Sequence, residues 1–84
     1  MTREDLVALT GDDDLLFADG FDDAIVGIID RCSQPSVVTY DREKCIAILV
    51  EREKMSVEEA EEYFDFNVVG AWVGDRTPAF LSKP

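Results

Sequence analysis

Apolar residues occur along this chain in two different spacings, and each spacing predicts a different kind of element. Residues 24–29 form a short continuous apolar run rich in β-branched side chains, which is typical of a strand buried on both faces. Residues 37–40 predict a second strand. Residues 31–35 between them are too few for the crossover that parallel strands require, so the two strands are expected to pair as an antiparallel hairpin.

Helical spacing and capping residues predict three helices in the rest of the chain. The first starts after Thr2 and stops at Gly11, a residue suited to the left-handed conformation that often ends a helix. The second is capped by Asp41 and runs to about Lys54. The expected apolar stripe of this second helix is Cys45, Ile46, Leu49 and Val50.

The third helix opens with the clearest local signal in the sequence, a capping box formed by Ser56 and Glu59. This helix is expected to reach about Asn67 or a few residues further. The residues expected on its apolar side are Val57, Ala60, Phe64, Asn67 and Ala71.

These elements predict one α+β domain that covers residues 1–84. It consists of a short N-terminal helix, an antiparallel β-hairpin or a three-stranded sheet, and two longer helices packed on it. Residues 79–81 are the candidate third strand, because a hairpin alone is only marginally stable.

Charge decides which partners the domain can have. The chain carries 19 Asp and Glu residues against 8 Lys and Arg, a net charge of −11. Nucleic acids and anionic membranes both attract basic surfaces, so direct contact with either is not expected. Neither a spanning helix nor a signal peptide is recognisable. The expected partner is a basic nucleic-acid-binding protein. The chain is expected to meet it as a monomer in the cytoplasm.

The candidate partner-binding residues fall in two acidic clusters. The loop cluster consists of Asp12, Asp13, Asp14, Asp19, Asp22 and Asp23. The helical cluster consists of Glu58, Glu61, Glu62 and Asp65. A helical wheel places these residues within about 100° of arc, nearly opposite the apolar side. No Lys or Arg lies within residues 58–65, although exposed helices commonly mix the two signs. A negative binding surface is the preferred interpretation, and an ordinary solvated face is the alternative.

The sequence offers little for catalysis or metal binding. It has no His to activate a serine or to bind zinc, and neither acidic run has glycine where an EF-hand loop needs it. We therefore expect no catalytic residue, no metal and no cofactor, with weak calcium binding as the alternative. Cys32 and Cys45 are expected to be reduced, buried thiols, with a disulfide or a reactive role as the alternatives.

Aromatic residues are concentrated on and just after the third predicted helix, namely Tyr63, Phe64, Phe66 and Trp72. Packing into the core is their expected role. Because Phe64 and Phe66 lie on different sides of a helix, one aromatic side chain is expected to be partly exposed. Aromatic residues among acids are a typical composition for a protein interface.

The second half of the chain also carries a longer sequence pattern. Residues 55–67 read Met-Ser-x-x-Glu-Ala-x-x-Tyr-Phe-x-Phe-Asn, and residues 74–78 read Gly-x-x-Thr-Pro. Residues 19–25 and 40–45 match the same pattern. Over residues 19–81 the chain thereby resembles a family of small proteins from phages and bacteria.

Within that family the chain is similar to anti-CRISPR proteins directed at type I CRISPR–Cas surveillance complexes. The resemblance implies an acidic inhibitor, a DNA mimic that occupies the positively charged DNA-recognition surface of the complex. The subunit that reads the protospacer-adjacent motif (PAM) is the candidate target. The alternative is a small phage adaptor or virion-associated protein-binding module without an inhibitory role. The family pattern does not identify the carboxylates that contact a partner. Their assignment rests only on the helical wheel and on the loop cluster.

Overall fold

The computed structural model describes residues 2–84 and shows a small α+β fold with three α-helices and one three-stranded sheet. A 3-10 turn precedes β1, and a π-helical turn follows α3. The elements in chain order are α1 Arg3–Thr10, the 3-10 turn Asp22–Ala24, β1 Ile25–Arg31, β2 Gln34–Asp41, α2 Arg42–Glu53, α3 Val57–Phe64, the π-helical turn Asp65–Val69 and β3 Ala79–Leu81.

The sheet has the order β1-β2-β3 and is mixed. β1 pairs with β2 in the antiparallel sense, as the short connection predicts, and the turn between them is Cys32 and Ser33. β3 pairs with β2 in the parallel sense, with Tyr40 opposite Phe80. Parallel pairing is possible here because α2 and α3 together form the long crossover between the two strands.

Aromatic packing joins the sheet to α3. Tyr40 on β2 is fully buried and its ring stacks on Phe80, with the ring centroids 5.6 Å apart. Phe64 on α3 meets Phe80 edge-on at 5.0 Å and Phe21 edge-on at 6.0 Å. The Tyr40 hydroxyl also accepts a hydrogen bond of 2.7 Å from the Ala18 amide. These contacts fix the irregular loop that precedes β1 against the core.

The predicted helix starts are confirmed. Thr2 and Ser56 each accept a hydrogen bond from the third helical amide, which completes capping boxes at α1 and α3. Asp41 caps α2 through the Lys44 amide. Gly11 ends α1 in the left-handed conformation, and Lys54 ends α2 in the same conformation.

The prediction that β1 is buried on both faces is wrong. Ile25 is buried, whereas Val26 and Ile29 are exposed, so this edge strand is not covered along its whole length. In the segments before it, Leu15 is buried, but Leu9 and Leu16 are exposed. The apolar run of β1 therefore reflects β-propensity more than burial.

The apolar side predicted for α3 is also wrong at its two ends. Ala60 and Phe64 are buried, but Val57, Asn67 and Ala71 are exposed. Val57 is the first residue of α3 and lies outside the packed part of the helix. After Phe64 the helix widens to π geometry, with the Gly70 amide bonded to the carbonyl of Asp65, and there Val68 packs against the core while Asn67 and Ala71 do not.

The two thiols differ, contrary to the expectation that both are buried. Cys45 on α2 is buried, while Cys32 is exposed in the two-residue hairpin turn, and both are free. Burial raises the pKa of the Cys45 thiol to about 12.

Candidate protein-binding surface

Three of the predicted acidic residues form an exposed row on α3. Glu58, Glu61 and Glu62 are all exposed, and within residues 2–84 none of them has an ion-pair partner. The buried Ala60 and Phe64 anchor the opposite side of the same helix. A rigid two-turn helix therefore presents three uncompensated carboxylates to the solvent.

Asp65, the fourth predicted member of the helical cluster, has a different environment. Its Oδ1 lies 2.8 Å from Nη1 of Arg42, at the start of α2. The Arg42 guanidinium also lies over the Phe64 ring, 5.1 Å from the ring centre. The Asp65 charge is therefore compensated within the chain, and this residue joins two helices.

Internal arginines also compensate much of the loop cluster. Arg3 donates from Nε to Asp22 and from Nη2 to Asp19, each at 2.9 Å, and so brings these two carboxylates together. Arg76 donates to Asp12, and this hydrogen bond lowers the pKa of the Asp12 carboxyl.

The remaining loop carboxylates are spread over the surface. Asp13 and Asp14 are exposed beside Asp12, whereas Asp23 adjoins the C-terminal half of α2 near Ile48 and Arg52. Within residues 2–84 no hydrogen bond or ion pair links the loop carboxylates to those on α3. Only the α3 carboxylates, among the predicted acidic residues, are both regularly spaced and without an ion-pair partner in residues 2–84.

The aromatic residues are more exposed than the sequence predicts. Phe64 is buried, but Phe66 is 77% exposed, Trp72 is 73% exposed and Tyr63 is 43% exposed. The sequence analysis expected one partly exposed aromatic residue and core packing for the rest. The sequence shows only that Phe66 lies off the Phe64 side, and it does not reveal the π-helical turn after which Trp72 is exposed.

A shallow hollow brings the acidic and aromatic residues together. Its lining residues are Met55, Glu59, Glu62, Tyr63, Phe66 and Asn67. Among residues 2–84, no basic side chain lines it. Asn67 donates from Nδ2 to the Tyr63 carbonyl at 3.1 Å and so ties the π-helical turn to α3. We call Glu58 and Glu62, which are one helical turn apart, together with Tyr63 and Phe66 the acidic–aromatic surface. Glu61 lies in a different hollow, beside Arg42 and Val57.

A second hollow adjoins the first at Asn67. It lies between the loop before β1 and the segment before β3, and its apolar lining includes Phe17, Phe21, Val68, Val73 and Phe80. Hydrogen bonds from the Gly70 and Ala71 amides hold the start of this segment against the π-helical turn.

Within residues 2–84, no three Cys, Asp or Glu side chains are grouped in a way that could hold a metal ion. The described helices are also all too short or too polar to cross a membrane.

Comparison of the chain with family models, with curated proteins and with solved structures finds no match. What supports the site is therefore the geometry and charge of the chain itself.

Proposed function

We propose that this chain is an acidic protein inhibitor of the anti-CRISPR type. It occupies the positively charged DNA-recognition surface of a type I CRISPR–Cas surveillance complex and competes there with DNA. The observation that carries the proposal is the row of Glu58, Glu61 and Glu62, whose charges have no compensating partner within residues 2–84. Carboxylates arranged in this way attract a basic protein surface and remain free to pair with it.

The spacing of this row supports DNA mimicry. Residues four apart on an α-helix lie about 6 Å apart along its axis, because each residue rises about 1.5 Å. A DNA strand carries one phosphate per about 3.4 Å of axis, so a carboxylate row of this kind approaches the charge spacing of alternate phosphates. Lys and Arg side chains that hold a DNA backbone can therefore reach these carboxylates.

The resemblance to anti-CRISPR proteins supplies the target. We assign the contact to a subunit that reads DNA, with the PAM-reading subunit as the first candidate. The chain acts as a monomer in the host cytoplasm, since a net charge of −11 opposes self-association. No catalytic step and no cofactor is involved.

An order-of-addition experiment tests the proposal. Purified type I surveillance complex is mixed with labelled target DNA before or after this protein, and DNA binding is followed by fluorescence anisotropy. Addition of the protein first should prevent DNA binding, and prior binding of DNA should protect the complex. If the protein binds the complex and DNA binding is unchanged, the mimicry proposal is wrong.

A second candidate function is a phage adaptor or virion-associated module, and the exposed Phe66 and Trp72 favour it. Such a module binds mainly through apolar contact, so its affinity changes little with salt. If the α3 carboxylates make the contact instead, the association rate falls steeply as ionic strength rises. Association rates measured from about 0.1 M to about 1 M salt, where the Debye length falls from about 10 Å to about 3 Å, separate the two functions.

A further inference from the structure

We propose that the acidic–aromatic surface takes an apolar segment flanked by lysine or arginine side chains on the partner protein. This proposal rests on the proposed function and refines it. The carboxylates guide the encounter and pair with the flanking cations, while Phe66 and Tyr63 pack against the apolar part of the segment.

The exposure of apolar side chains in residues 63–73 is the first observation. Tyr63, Phe66, Val69, Trp72 and Val73 are all large, apolar or aromatic, and exposed. Tyr63 lies just before the π-helical turn and the other four fall on or after it, and such an irregularity is frequent at functional sites. An exposed group of this kind in a small domain marks an interaction surface, since isolated apolar residues would not be concentrated in one segment.

Charge determines which occupant fits. The hollow beside Phe66 is bordered by Glu59 and Glu62, and Glu62 has no ion-pair partner within residues 2–84. Glu59 uses one carboxylate oxygen, Oε1, for the capping bond to the Ser56 amide. An acidic or neutral apolar segment would leave these carboxylates partly desolvated and unpaired, which is unfavourable. A segment with Lys or Arg beside its apolar side chains pairs with them.

A second copy of this chain is a poor occupant. Two copies would bring together molecules of charge −11, and the repulsion opposes association. Several of the basic side chains are also already committed, because Arg3, Arg42 and Arg76 are paired with acids of their own chain. The occupant is therefore a different, basic protein.

The sole tryptophan of the chain, Trp72, is exposed in the same segment of residues 63–73, and its emission is the readout for binding to this segment. The experiment uses two synthetic peptides of equal length and equal positive charge, one of Lys and Leu and the other of Lys and Ser. The Lys/Leu peptide should shift Trp72 emission to shorter wavelength and bind about tenfold or more tightly than the Lys/Ser peptide. Equal affinities for the two peptides would overturn the inference.

Variants keep the test specific. Phe66→Ser should weaken the Lys/Leu peptide about tenfold and leave the Lys/Ser peptide within about twofold. Leu9→Ser, which also removes an exposed apolar side chain but on α1, should change neither affinity. Far-UV circular dichroism checks that both variants are folded. An effect of Leu9→Ser equal to that of Phe66→Ser would show that the apolar contact lies elsewhere.

Self-association and lipid binding are separate outcomes. The free protein could sediment as a dimer in which Trp72 fluorescence is protected from quenching by acrylamide. That result would assign the surface to a second copy and overturn the inference. A Trp72 shift with phosphatidylcholine vesicles equal to that with the Lys/Leu peptide would assign it to lipid. If the protein does not bind the surveillance complex but still prefers the Lys/Leu peptide, the proposed function is rejected and the binding site is retained.

Discussion

Arg42 at the start of α2 holds Asp65 at the end of α3, with Nη1 and Oδ1 2.8 Å apart and the guanidinium stacked over the Phe64 ring. Asp65 is the first residue of the π-helical turn, so this pair joins the start of α2 to the point at which the helix changes to π geometry. It also divides the predicted helical cluster, since Asp65 is compensated inside the chain whereas Glu58, Glu61 and Glu62 are not. The same four-residue cluster thus contains one structural member and three candidates for binding.

Asp65→Ala should lower the free energy of unfolding by about 0.5–1 kcal/mol, because it removes a partly exposed ion pair that orients Arg42 over Phe64. Glu61→Ala, on the same helix but without an ion-pair partner in residues 2–84, should change stability by less than about 0.5 kcal/mol. Urea denaturation measures both. The opposite ranking would mean that the Arg42 pair has no structural role.

Gly20 is expected to disfavour any other residue because its φ of 89° is a conformation that L side chains rarely adopt. An added Cβ would also lie 2.5 Å from Nη1 of Arg52, so the Arg52 guanidinium would have to move from its 3.0 Å hydrogen bond to the Gly20 carbonyl. Gly20→Ala should therefore cost about 1–3 kcal/mol in urea denaturation. Gly27→Ala is the matched control, because no atom lies within 4 Å of its added Cβ, and it should be neutral or slightly stabilising. Equal costs would contradict the packing at Gly20.

The two cysteines should react in two distinct phases. Cys32 is exposed in the hairpin turn and should be modified quickly by a thiol reagent in the native protein. Cys45 is buried, and its raised pKa of about 12 keeps it as the thiol, so it should react only on unfolding. Mass spectrometry counts the modified thiols, and Cys32→Ser should remove the fast phase. Rapid modification of both thiols in the native protein would show that the reagent reaches Cys45 and that the core around α2 is not closely packed.

Asp41 should make the folded state sensitive to acid. The hydrogen bond from Lys83 lowers the pKa of this buried N-cap carboxyl, with a smaller contribution from the Lys44 amide. A lowered folded pKa means that the stabilisation is present above the ordinary value of about 3.9 and is lost as the pH falls through the folded value.

Lys83→Ala tests this linkage. Wild type should be more stable than Lys83→Ala at pH values above about 5, and the difference should shrink as the pH falls toward about 2. Thermal unfolding across this range gives the comparison. A difference that stays constant with pH would show that Lys83 does not act through the Asp41 charge.

The elements of the fold could be predicted because their signals are local. Thr2, Asp41 and Ser56 cap the helices that they were predicted to cap, and Gly11 ends α1. These interactions involve residues three or four positions apart, so the sequence contains both partners. The short hairpin connection likewise determines antiparallel pairing without reference to the rest of the chain.

The environment of the acidic residues could not be predicted in the same way. The partners that compensate them are distant in sequence: Arg3 for Asp19 and Asp22, Arg42 for Asp65, and Arg76 for Asp12. A helical wheel treats Asp65 as equivalent to Glu58, Glu61 and Glu62, because it contains no information about Arg42. The π-helical turn has no local sequence signal either, so the exposure of Trp72 appears only when the chain is folded.

The most direct test of the proposed function is the affinity of the type I surveillance complex for a triple charge reversal on α3. Glu58, Glu61 and Glu62 are changed together to Lys. A control of equal charge change carries Lys at three exposed acids outside the acidic–aromatic surface, namely Glu4, Asp30 and Glu51. Both proteins are first shown to be folded, and binding is then measured by surface plasmon resonance. The α3 reversal should weaken binding by about hundredfold or more, and the control by much less. A folded α3 variant that binds as tightly as wild type would contradict the central claim.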